Sequence, residues 1–248
     1  MRKNCTQFQS HHRFIFGSLL GLFLISGLSG CGGGGSSSSG DSRVISTSTN
    51  GCAAKTFAPN YMGDTDPKTG KANVLRTWLG LPLRVYFAPG TLLTPTRQGA
   101  ALAGFDWWVA AENGAVSYFV AADAGSADIT VTFEESGETE YGALTTYNYD
   151  SSNHMTQASI TFNVAYINRD ALLTPAAAHE FGHALGIDGH SANQGDVMAF
   201  SAGVYNLTGL STRDINTIKT DYSCGSATRS ASATQKKMSP AHTVAIYD

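Results

Sequence analysis

The chain has 248 residues, 42% of them hydrophobic, and a formal net charge of -3. This is enough for one generous domain or two small ones with a packed core, and it excludes a chain too polar to fold. The first thirty residues carry three positive charges and no acid, so their removal takes the net charge to -6 and argues against a nucleic-acid partner.

Arg2, Lys3 and Arg13 precede an uncharged apolar run from Phe14 to Ser29, the pattern of an export signal. The run has 16 residues, short of the roughly 20 that cross a bilayer as a stable helix. Leu28-Ser29-Gly30-Cys31 resembles the bacterial lipobox, which implies cleavage after residue 30 and a lipid on Cys31. The resemblance makes the chain exported and lipid-anchored to a bacterial cell envelope, with the membrane as a partner. Gly32 carries no acidic retention signal, which favours the outer membrane if the organism is Gram-negative. Residues 31–50 then form a Gly/Ser tether.

Cys5 leaves with the signal and Cys31 takes the lipid, so Cys52 and Cys224 remain as an even pair. In an exported protein this pair suggests one disulfide, which would stabilise by about 4 to 5 kcal/mol in the chain-entropy model. The alternative is that Cys52 reaches a metal as an inhibitory thiolate. The folded domain is expected over 51–224, and the small-residue-rich tail over 225–248 is expected to be flexible.

Within that domain, PLRVYFA at 82–88 alternates as a strand that Gly90 ends. Thr94-Pro95 reads as an N-cap followed by a first-turn proline. The helix it opens, reaching Glu112, carries Ala101, Leu102, Phe105, Trp108 and Val109 at helical spacing. Trp107 and Trp108 are read as packing residues. Strands follow at 116–121 and 127–133. The polar stretch 134–157 reads as a long surface loop, with His154 solvated like His242 in the tail. ASITFNV at 158–164 is a further alternating strand.

Thr174-Pro175 repeats the cap-and-proline signal and opens an alanine-rich helix to Gly186 that contains HEFGH. His179 and His183, four apart, lie on one face, as a zinc with nitrogen ligands requires. Glu180 lies beside them, where a carboxylate can take a proton from a water that a metal acidifies. Gly186 can end the helix with a positive φ and turn the chain back, so that His190 arrives as third ligand, with Asp188 as its rival. Met198 follows, and a last helix starts at Ser211 with Asp214 three residues on.

From Cys52 to Cys224 these features resemble the metzincin metallopeptidases, matrixins in particular. The resemblance implies an α/β (α+β) fold: a mixed twisted sheet, a packing helix, an active-site helix, a methionine turn and a C-terminal helix. It implies one catalytic zinc on His179, His183 and His190, Glu180 as general base, Gly186 at the helix-ending turn and Met198 in the methionine turn. It also gives ASITFNV the role of an edge strand that pairs with an extended peptide, with Ala143-Leu144-Thr145 bordering the cleft.

Two departures are visible. Gly189 occupies the family's usual third-ligand position, one before His190, and Phe200 stands where some metzincins carry a tyrosine near the metal. Relatives also bind calcium, but Asp64 and Asp66 lack the spacing of a calcium loop, so no ligands can be assigned. The implied activity is a zinc metalloendopeptidase, acting as a monomer on internal peptide bonds of extracellular or periplasmic proteins. Two alternatives use the same metal: an inactive zinc-containing surface binding module, and a zinc amidohydrolase acting on non-peptide substrates.

Overall fold

The computed structural model describes residues 55–111, 116–137, 141–200, 202–223, 227–228 and 242–248. Cys31, Cys52 and Cys224, with the signal and tether, lie outside the described residues.

Three short strands open the order: β1 (Val74–Leu75), β2 (Thr77–Trp78) and β3 (Gly80–Leu81). Then come β4 (Leu83–Phe87), α1 (Pro95–Ala111), β5 (Tyr118–Val120), β6 (Ile129–Glu134), β7 (Ala143–Tyr149) and β8 (His154–Asn163). The last elements are α2 (Asp170–Ala184), β9 (Ile187–Asp188), α3 (Thr212–Asp221), β10 (Ala227–Thr228) and β11 (His242–Tyr247). The main sheet runs β11-β7-β8-β6-β4-β5, with β2 also paired to β8. β5, β4, β6 and β8 are parallel, whereas β7 and β11 are antiparallel additions. The fold is therefore the mixed α/β arrangement anticipated from the sequence.

Alternation sets one face of this sheet against the helices. Leu83, Val85, Ile129, Val131, Ile160 and Phe162 are buried, while Arg84, Thr130, Thr132, Ser159 and Thr161 on the other face are half-buried. On the covered face, Phe105 of α1 stacks on Phe181 of α2 with ring centroids 4.2 Å apart, and the Trp108 indole donates to Ala178 O at 2.7 Å. At their crossing Gly104 is a close-approach position, because a Cβ there would lie 2.2 Å from Thr174 O. The Thr94 hydroxyl caps α1 by accepting from Arg97 N.

Four expectations need correction. Residues 134–157 are not one loop, since 143–149 form β7 and β8 begins at His154. Their polar look comes from Thr146 and Asn148 on the open face, while Ala143, Thr145 and Tyr147 point into the core. Because β7 and β6 flank it, β8 is not the edge strand, and ASITFNV cannot be the strand that receives a peptide. The helix α2 starts at Asp170 rather than after Thr174, and Pro175 falls inside it. That extra turn buries Leu173, and the Thr174 hydroxyl donates to Ala100 O of α1 instead of capping. Finally, the end of the 225–248 segment is not loose, because residues 242–247 pair with β7 over six positions.

Candidate metal centre and cleft

The helix α2 delivers His179 and His183 one turn apart, with their Nε2 atoms separated by 3.1 Å. Each ring is locked from behind. His179 Nδ1 donates to Val197 O at 2.6 Å and His183 Nδ1 donates to Ile187 O at 2.7 Å. A carbonyl can only accept, so the proton belongs on Nδ1 and each Nε2 keeps a lone pair for a ligand.

After α2 the chain turns at Gly186, whose φ is +114° and whose Cα lies so close to Arg76 O that no Cβ fits. Three residues later Gly189, with φ +110°, lies against the Asn73 side chain, where a Cβ would again clash. This second left-handed glycine absorbs the additional residue in the turn and brings His190 round to the two helix histidines. The Asn73 amide donates to His190 O at 2.9 Å, and His190 Nδ1 donates to Asp66 Oδ1 at 3.2 Å. Asp188, the rival ligand, instead pairs with Arg76 at 2.5 Å.

Behind the site, Met198 is fully buried beneath Gly182 of α2, where a Cβ would stand 2.4 Å from its sulfur. Its turn is pinned to α3, since Asp214 accepts from Val197 N and also closes the Ser211 capping box. Asp196, fully buried, accepts from Ser191, Ser211 and Arg213.

A fourth group arrives from β11. Asp248 Oδ1 lies 2.7 Å from His190 Nε2, and Oδ2 lies 3.6 Å from both His179 and His183 Nε2. One donor atom from each of His179, His183, His190 and Asp248 falls within 4.8 Å of the others. Asp248 Oδ2 is buried without a hydrogen-bond partner among the described residues. Glu180 accepts from the Thr145 hydroxyl at 2.5 Å. Glu180 and His179 also line a largely apolar cavity of about 600 Å³ with Tyr166, Ala176, Val204 and Tyr205.

Burial, and then the charge of Asp248, push the Glu180 carboxyl up to about 8. Burial alone would lower His179, yet Asp248 raises it to about 9, while burial and the neighbouring His179 hold His183 well below its usual value. Burial would raise Asp248, but the surrounding imidazoles hold it far below the carboxylate range. The Asp248 carboxylate and the helix imidazoles thus act on one another at a single point.

The sequence model of the matrixin family, peptidase M10, matches residues 96–223, more than half of the chain. The chain belongs to the matrixin family. No curated protein matches it. Matrixins are zinc metallopeptidases, and the residues present fit zinc: three Nε2 atoms converge with a carboxylate whose buried Oδ2 has no hydrogen-bond partner among the described residues.

Of the other matrixin residues weighed from sequence, His154 pairs with Asp150 away from the centre, and His242 stacks on Tyr149 with centroids 4.8 Å apart. Phe200, with no donor atom, packs its ring 5.3 Å from that of His190. Asp64 and Asp66 do not converge, because Asp64 pairs with Arg213 while Asp66 serves His190. Sequence reasoning missed Asp248 and the role of Asp66. The β-rich string HTVAIY was the available signal for the first, whereas nothing local marked the second.

Proposed function

We propose that this protein is a zinc-dependent metalloendopeptidase that hydrolyses internal peptide bonds of extracellular or periplasmic proteins. We further propose that it is monomeric and lipid-anchored through Cys31 to the bacterial envelope. The observation that carries the catalytic reading is the convergence of three buried imidazoles, two of them locked by backbone carbonyls, with the Glu180 carboxylate beside them.

Zinc on His179, His183 and His190 would supply Lewis acidity, polarising the scissile carbonyl and acidifying water. Glu180 takes the proton of the attacking water and returns it to the leaving amine. The Thr145 hydroxyl, donating to Glu180 Oε2, holds that carboxylate toward the cleft. The side of β7 that β11 covers is the one an extended peptide would pair with once β11 has left, so affinity would come from main chain and be tolerant of sequence. The cavity beside Glu180, lined by Tyr166, Val204 and Tyr205, suits an apolar substrate side chain.

The test measures metal content and casein cleavage by the exported form beginning near Ser42, beside Glu180→Ala and a chelator control. One zinc per chain, with cleavage lost in both controls, supports the reading. One zinc with cleavage of non-peptide amides alone would replace it with the amidohydrolase.

A further inference from the structure

We infer that the chain inhibits itself: the strand His242–Tyr247 occupies the cleft in a substrate's place, and Asp248 closes the metal site as a displaceable fourth ligand. The inference rests on the peptidase reading above and concerns regulation of that same site.

Backbone pairing is the first support. The strand β7 borders the cleft, and its free side is taken by β11, antiparallel, from His242 opposite Tyr149 to Tyr247 opposite Leu144. The pairing continues one residue further: Asp248 N donates to Ala143 O at 2.9 Å, and Asp248 O accepts from Gly142 N and Ala143 N. An extended peptide added to β7 would need these same groups, so strand and substrate exclude each other.

The second support is the chemistry at the strand's end. A catalytic zinc keeps three protein ligands and an open position, whereas four protein ligands make a closed site. Asp248 supplies the missing fourth donor at the point where the imidazoles meet. It also introduces a second carboxylate next to Glu180, in the space an attacking water and a scissile carbonyl would need.

The third support separates an inhibitor from an ordinary structural strand. His242, Thr243, Ala245 and Tyr247 are exposed, and of the six strand residues only Ile246 is buried. Backbone bonds, the Asp248 carboxylate and surface contacts such as Thr243 to Asn148 and His242 to Tyr149 hold the strand, with little core burial behind it. Its departure therefore uncovers little apolar surface and opens both the β7 edge and the fourth metal position.

The test uses the mature chain and its Asp248→Ala variant, each loaded with zinc for cleavage of quenched fluorogenic peptides and with cobalt(II) for visible spectroscopy. The expected result is at least a tenfold rise in kcat/KM for Asp248→Ala, with a cobalt spectrum altered by loss of a carboxylate ligand. A chain ending after Thr228 should show the same rise. A synthetic heptapeptide with the sequence of residues 242–248 should inhibit that shortened chain competitively, and one ending in Ala should inhibit it at least tenfold more weakly. Equal cleavage and identical cobalt spectra in parent and Asp248→Ala overturn the inference and leave the peptidase reading standing. No cleavage by any of the three proteins, with a cobalt spectrum that still changes, overturns the peptidase reading instead.

Discussion

His179 and His183 come from a single turn of α2, and the groups behind them are the main-chain carbonyls of Val197 and Ile187. His190 reaches the same point over two left-handed glycines, and the group behind it is a side chain, Asp66, from a distant loop. The helix-borne half of the centre thus rests on atoms that every residue possesses. The loop-borne half rests on particular residues at Gly186, Gly189, Asn73 and Asp66. Substitutions outside the histidines should therefore damage the second half and spare the first.

The largest expected effect separates chemistry from metal holding on the helix. Glu180→Gln should lower kcat/KM by about 10³-fold while zinc content, read by atomic absorption, stays at the parent value. Loss of zinc as well would mean that the helix-borne half also depends on a side chain outside its two ligands.

Next comes the hinge between the halves. Gly186→Ala forces a Cβ into Arg76 O at a positive φ, and should cost about 3 kcal/mol in urea denaturation of the metal-free protein. A smaller effect is expected behind His190. Asp66→Asn should weaken zinc binding by about 10- to 100-fold in competition with a chromophoric chelator. An unchanged affinity would dissolve the contrast between the two halves.

The smallest effect concerns Thr145, whose hydroxyl donates to the ionised Glu180 and so lowers its pKa. Thr145→Val removes that donor and the pKa rises, so the base ionises only at higher pH. The acidic limb of kcat/KM should move upward by roughly one unit, with the rate unchanged on the alkaline side of it.

The same division explains what could be read in the sequence. His179, Glu180 and His183 were legible because a helix converts spacing into direction, and Ser211 and Asp214 were legible because a capping box is local. His190 was legible less directly, with Asp188 left as a rival, since its position depends on how Gly186 and Gly189 bend. Asp66 and Asp248 could not be located, because each meets His190 through closure of more than fifty residues of chain. The strand β7 was hidden by the polar, Gly/Asn/Ser-bearing stretch around it, although the tyrosines and threonines of ALTTYNY favour a strand.

The fit of Gly182 against Met198 has a consequence for how this sequence can drift. The two inner positions of HEFGH are free as far as metal chemistry goes, yet a methyl at residue 182 would overlap the sulfur beneath it. Position 182 therefore shares its space with both Met198 and the Trp108 ring, and it cannot grow unless both give way. A library randomising 108, 182 and 198 together should return a larger residue at 182 only among clones in which the other two have shrunk.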